Sequence, residues 1–226
     1  MTAPTAAPLP PVERVSYFDA TGRAEAIRLT LAIGGNTTFE DDRFAGSAWP
    51  ERKPTTRWGM TPEATVAGRT YGQSHAILRY AGKTAGLYPS DALAALAVDE
   101  MLGVLEDMFV QTGREYFIMM SHNGPADELE ELRTKIATTV LPDWLSKLEV
   151  HLTAEGDHGH LVAPTAMHTY SVADVLLYTT LSGLVSMQLL PPAQLAEKYP
   201  KTQALYSRVH CLPAVAKWNA DHPRKA

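Results

Sequence analysis

Apolar and polar positions change rhythm along this chain, and the changes divide it in two. Val12 to Phe18 (VERVSYF) alternates as a half-buried strand does. From Gly22 the spacing turns helical: Ala24, Ile27, Leu29 and Leu31 fall near one stripe, and Gly34–Gly35 stop the run. Thr37 to Arg43 predicts a second strand, whose acidic Glu40, Asp41 and Asp42 suit a sheet edge. Residues 46–62, broken by Pro50, Pro54 and Pro62, predict no regular element. Ala64–Ala67, a turn at Gly68 and Thr70–Tyr71 predict a hairpin, and Gln73–Lys83 a short helix. The order β-α-β, loop, β-β-α predicts an α/β domain: a mixed four-stranded sheet with helices on its faces.

After Gly86-Leu87-Tyr88-Pro89 the strand signals stop. The pattern predicts one helix from Asp91 to about Ser121 and another from Asp127 to about Thr153, bent at Pro142. The acidic first turns of the second suit the positive end of a helix dipole. Val172–Met187 is apolar all round, as a buried central helix should be. Shorter helices are predicted over 193–199, 202–211 and 214–221, parted by Pro200 and Pro213. The expected organisation is a disordered leader over 1–11, a sheet domain over 12–84, a linker over 85–92 and an all-helical domain over 93–226.

Composition narrows the classes. A net charge of −5 gives no chain-wide attraction to nucleic acid or to an anionic membrane, and no apolar run reaches the length of a spanning helix. The leader, with four prolines and no Lys or Arg, lacks the features of a secretory signal. The single cysteine, Cys211, excludes an internal disulfide and is expected to be a small buried residue. His158 and His160 beside Asp157 are too thin a set for a metal site, and no metal is assigned.

Several segments resemble one known family in order and spacing. YFDATGRAEAIRLTLA (17–32), WPERK (49–53), the Gly59–Pro62 turn and YGQSHAILRYAGKTAGLYP (71–89) resemble the N-terminal domain of cytosolic glutathione transferases, especially the sigma class. The likeness continues weakly through VDEMLGVLED and SVADVLLY. It implies a thioredoxin-like domain that binds glutathione, an all-helical partner domain, a homodimer, a cytoplasmic location and a role in detoxification. A strand-to-helix turn reading Asp19-Ala20-Thr21-Gly22 carries no cysteine, so dithiol redox chemistry is not expected.

The resemblance assigns roles residue by residue. A free thiol has a pKa of about 8.5, so a hydroxyl donating to sulfur raises the share of nucleophilic thiolate. Tyr17 is the implied donor and Arg23 its neighbour at the thiol. Taken alone, Tyr17 reads as well as a sheet-edge packing residue and Arg23 as a surface charge. Gln73 and Ser74, where a helix begins, would take the γ-glutamyl carboxylate; Ser74 also reads as a plain cap. Trp49 and Lys53 would hold the glycyl end. Met60, Thr61 and Pro62 would meet the cysteinyl part, with a cis bond before Pro62. Asp107, beside Glu106, would reach a partner subunit's glutathione, though a solvated helix face explains it equally. Ala20, Gly22, Phe109, Arg114 and Tyr116 would line the electrophile's pocket. No tryptophan stands near 114, which ranks prostaglandin endoperoxide isomerisation low; a peroxidase side activity would use the same thiolate. One departure stands out. Glu63 occupies the start of a strand where the family is apolar, and it predicts a cationic partner or exposure to water. That segment is also what favours the other reading, a non-catalytic ligand-binding or crystallin-like structural member.

Overall fold

The computed structural model describes residues 8–154, 159–162 and 169–223. Strands β1 (Val12–Phe18), β2 (Glu40–Phe44), β3 (Glu63–Val66) and β4 (Arg69–Gly72) form one sheet in the order β2-β1-β3-β4. β2 runs parallel to β1; β3 is antiparallel to β1 and to β4. Val12 and Val15 are both buried, although three residues apart they should face opposite ways. A bulge at Val12/Arg14 shifts the register and turns both toward the core. The β3–β4 turn is made by Ala67 and Gly68, both at positive φ (49° and 72°), the geometry of a tight hairpin.

Helices α1 (Glu25–Ile33) and α3 (Ser74–Ala85) cover one face of the sheet. Residues 25–32 of α1 are all buried, because the sheet lies on one side of the helix and the helical half on the other. The segment expected to be irregular holds a one-turn helix, α2 (Trp49–Arg52), between two 3₁₀ turns. α3 ends at Gly86 in the left-handed conformation (φ 73°), which glycine adopts without strain.

Both long helices expected from the sequence are present as rods with a widened turn inside. α4 (Ala92–Phe109) passes through a π turn (Val110–Arg114) into α5 (Glu115–Ser121). α6 (Ala126–Lys135) passes through a second (Ile136–Val140) into α7 (Leu141–Ala154). Each π turn contains a threonine, Thr112 or Thr138, whose hydroxyl donates 2.7 Å to the carbonyl four residues back. Pro142 follows the second, where its ring cannot accept an ordinary helical pitch. α8 (Val172–Ser186) lies at the centre, packed against α1, α3, α4 and α10. Its cap is a complete box: the Ala173 N–H donates to Ser171 Oγ, and the Ser171 N–H to Asp174 at 2.7 Å. Helices α9 (Pro192–Lys198), α10 (Pro200–His210) and α11 (Pro213–Asp221) close the fold. Among the described residues, no helix is long and apolar enough to cross a membrane.

One expectation here needs correction. Cys211 is exposed, because it caps the end of α10 rather than lying on its buried stripe. Of the leader expected over 1–11, residues 1–7 lie outside the described residues, and at Pro10 the carbonyl accepts from Tyr80 Oη at 2.7 Å. Glu63 takes no cation but meets water, as the alternative expected: its carboxylate is half-exposed and accepts the Arg57 main-chain N–H at 2.6 Å.

The two halves are joined by charge as well as by apolar contact. Arg28, on α1, has no exposed surface. Its Nε donates to Asp41 of β2 (2.8 Å), and its Nη1 donates to the Ala20 carbonyl (2.7 Å) and faces Glu25 (3.3 Å). Glu25 in turn accepts from Trp218 Nε1 of α11 at 3.0 Å. Removing one member of a buried ion pair strands the other. Arg28→Met is therefore expected to cost about 3–5 kcal/mol in urea unfolding, against less than about 0.5 kcal/mol for a surface change such as Lys217→Met.

Asp174 supplies a second expectation. Burial raises its pKa, against the opposing hydrogen bonds from Ser171 and Leu161, to about 6 from the ordinary 3.8. A carboxyl raised on folding stabilises the fold fully below the unfolded value and loses that contribution as pH rises through the folded one. The stability advantage of the wild type over Asp174→Asn should shrink as pH goes from 4 to 7. An advantage that grows over that range would refute the assignment.

Candidate active site

The site is built around the end of β1. Past Phe18 the Asp19 N–H donates to the Phe44 carbonyl (2.8 Å), and the chain turns through Ala20 and Thr21 into a 3₁₀ turn. Gly22 has φ +41°, a left-handed conformation, and a Cβ there would stand 2.5 Å from the Tyr17 hydroxyl oxygen. The absent side chain is what lets the turn close over the Tyr17 ring. The Arg23 N–H then donates to Tyr17 Oη at 3.2 Å. A phenol that accepts there keeps its own proton for another partner. Burial raises the Tyr17 pKa; the Arg23 N–H and the charges of Arg23 and Arg28 oppose it, and the balance stays above the ordinary value. Tyr17 is thus a hydrogen-bond donor at neutral pH.

Arg28 was not singled out from the sequence. It holds the Ala20 carbonyl, and so the loop beside Tyr17, with its guanidinium 5.9 Å from the Tyr17 ring centre. The one available signal was an arginine inside an apolar helical run, between Ile27 and Leu29.

Arg23 is a bridge rather than a surface charge. Its guanidinium forks onto Glu106 of α4 (2.6 and 3.0 Å), lies 3.5 Å from Ser74 Oγ and sits over the Phe109 ring at 4.7 Å. Bidentate arginine–carboxylate pairs are the better-oriented kind of ion pair. His75 Nε2 is 3.6 Å from Glu106, and burial lowers the His75 pKa despite that carboxylate. Burial would raise the Glu106 pKa, but the bond and charge of Arg23 outweigh it, with His75 and Arg114 adding, so the carboxyl lies below its ordinary value. Of the acidic pair on α4, it is therefore Glu106 that faces this cluster, while Asp107 is exposed one step around the helix.

At the start of α3 the structure places Ser74 as the first helical residue and Gln73 at the cap, without a side-chain cap bond. The uncapped first turn presents N–H groups and the positive dipole end. Gln73 has φ 74°, ψ 105°, a strained backbone for a residue with a side chain. The Thr61–Pro62 peptide is cis, as the resemblance implied, and Thr61 Oγ1 donates to the Ser16 carbonyl at 2.8 Å. Met60 and Lys53 are exposed, and Trp49 stacks on Phe44 with its edge to Phe18.

Of the residues expected around the electrophile, Ala20, Gly22 and Arg114 are exposed and Phe109 is half-buried. Tyr116 is different: at 5% exposure it belongs to the core, because it follows the π turn, which rotates it inward. Asp157 and His158 lie outside the described residues, and among those described no cluster of three metal-ligating side chains occurs.

Comparison with known proteins agrees with this geometry. Residues 106–222 match the family model "Glutathione S-transferase, C-terminal domain". The chain is 32% identical to a hematopoietic prostaglandin D synthase of Gallus gallus over 96% of this chain and 99% of that protein. It is 27% identical to glutathione S-transferase 4 of Caenorhabditis elegans over 93% and 96%. In three dimensions it superposes on a prostaglandin synthase D of Nilaparvata lugens with a TM-score of 0.81 at 27% identity, covering 94% of this chain and all of that one. With the match extending over both the sheet and the helical half, the chain belongs to the cytosolic glutathione S-transferase family.

Proposed function

We propose that this enzyme catalyses attack of the glutathione thiolate on electrophilic small molecules, with Tyr17 as the donor to sulfur. One observation carries the assignment. The Tyr17 hydroxyl accepts the Arg23 N–H, retains its own proton and has a raised pKa. It can therefore donate to a sulfur anion and stabilise it. The thiolate sulfur forms a bond to the electrophilic carbon, and the displaced group leaves with its electron pair. In an addition, the acceptor takes those electrons and then a proton.

Residues 12–84 form the glutathione-binding half in this proposal, and residues 93–226, after the linker 85–92, the wall of the electrophile's pocket. The uncapped start of α3, with Gln73 and Ser74, suits the γ-glutamyl carboxylate. The main chain at Met60 and Thr61, turned by Pro62, meets the cysteinyl unit, and Lys53 and Trp49 hold the glycyl end. Arg23 reaches the sulfur from the side, and Phe109, Arg114, Ala20 and Gly22 face the electrophile. Holding the tripeptide at both ends removes much of the entropic barrier to reaction.

The name of the Gallus gallus relative includes prostaglandin synthesis, but here an exposed Arg114 stands where no tryptophan is available, and general conjugation is the better-supported activity. Leu93 and Leu96 on α4 are 77% and 64% exposed, which supports a homodimer that covers them. A cytoplasmic location, a detoxifying role and a peroxidase side activity complete the proposal.

Conjugation to a chlorodinitrobenzene-type acceptor should fall at least about tenfold in Tyr17→Phe, about 1.4 kcal/mol of barrier. The acidic limb of the wild-type pH–rate profile should lie below the free thiol value of about 8.5, and in the variant it should move back toward it. An unmoved profile would transfer the thiolate's stabilisation to another donor. Gly22→Ala should also lose most of the rate while remaining folded, since the new methyl group meets Tyr17 at 2.5 Å. Full activity in that variant would show that the turn does not position the tyrosine.

A further inference from the structure

The rod formed by α4, its π turn and α5 carries one line of side chains past the site. Glu106 and Phe109 belong to that line through their contacts with Arg23. A π turn closes after five residues instead of four, so the turn over Val110–Arg114 brings Arg114 back to the line of Phe109.

The charges around this line are unequally used. Glu106 accepts both prongs of the Arg23 guanidinium, at 2.6 and 3.0 Å, and that guanidinium also covers the Phe109 ring. His75 Nε2 stands 3.6 Å from the same carboxylate. Arg114 acts on Glu106 only through space, as one of the charges that hold its pKa down. Its side chain is exposed, and among the described residues no carboxylate comes within ion-pair distance of it. Asp107 and Glu115, the acidic residues nearest to it in the chain, are exposed and leave it unpaired. A planar fork of donors, the shape that matches a carboxylate, is therefore free one π turn from Phe109.

The flanks of Arg114 are apolar. Val110, four residues before it, and Phe117, three after, are 39% and 53% exposed, and residues at those spacings are neighbours on a helical surface. An unpaired cation set among exposed apolar side chains suits a molecule that is apolar in body and anionic at one end. The glutathione thiolate brings a negative charge of its own to this place, so a second anion approaches only with a cation beside it. Arg114 is that cation, since the charge of Arg23 is largely met by Glu106.

We propose, on the footing of the conjugation reaction above, that the acceptor is an anion: an apolar electrophile whose carboxylate is gripped by Arg114. The test compares a chlorodinitrobenzoate with its uncharged amide. In both, the sulfur forms a bond to the ring carbon and chloride leaves with the electron pair. Each kcat/KM is divided by the rate constant of the uncatalysed reaction with glutathione. At low ionic strength the acid should exceed the amide at least about fivefold, and added salt should shrink that ratio. The ratio should fall to about one in Arg114→Gln and lower still in Arg114→Glu, and Arg114→Lys should keep more of it than Arg114→Gln. Because each ratio is taken within one protein, partial unfolding of a variant does not alter it. Conjugation of neither acceptor by the folded protein would remove the transferase reaction and this inference with it. Conjugation of both without preference for the acid, or a preference that Arg114→Gln or added salt leaves unchanged, would overturn this inference and leave the transferase reaction standing.

Discussion

A guanidinium sealed from water must find its hydrogen bonds inside the protein, and in this fold Arg28 finds those of Nε and Nη1 on three different elements while Nη2 stays buried without a partner. Asp41 comes from the edge strand, the Ala20 carbonyl from the loop after β1, and Glu25 from the same helix. Glu25 extends the chain of contacts to Trp218 near the C-terminus. Leaving any of these groups unpaired in a low-dielectric interior would cost several kcal/mol. The constraint therefore sets the relative position of β2, α1, α11 and the loop after β1 together. Apolar packing alone tolerates small slips between such elements; a buried fork of fixed donors tolerates fewer.

The chemistry depends on that placement. With the Ala20 carbonyl held, the turn at Gly22 brings the Arg23 N–H onto the Tyr17 hydroxyl. The Arg23 side chain then spans to Glu106 on α4, so one residue contacts both the strand end and the helical half. Burial and the local charges pull the Tyr17 pKa in opposite directions, and burial prevails. That outcome is useful: a phenol that ionised readily would repel a thiolate, whereas a protonated one stabilises it.

The sheet shows how one short element serves two environments. β3 alternates Glu63, Ala64, Thr65 and Val66, so Ala64 and Val66 enter the core while Glu63 and Thr65 lie on the opposite face. A carboxylate that looks misplaced in a core strand is thus on the wet face of that strand. Its cost is offset by the Arg57 N–H and by its exposure to water.

Periodicity, proline and glycine placement determined the order of elements, the single mixed sheet, the hairpin at Ala67–Gly68 and the buried character of α8. These follow from local rules: a period of two or 3.6, a missing N–H, a permitted positive φ. Motif spacing also marked Tyr17, Arg23, Gln73, Ser74 and Pro62. The tertiary structure decided the rest. Whether Glu106 or Asp107 turns inward, whether Tyr116 faces a pocket or the core, and whether Cys211 is covered depend on helix rotation. For Tyr116 a π turn sets that rotation, and the two π turns touch each other across the helical rods. Arg28 is the clearest case. Its identity is plain in the sequence, but its partners lie 8 and 13 residues away and the chain of contacts reaches Trp218, so only the folded chain could bring them to one buried charge.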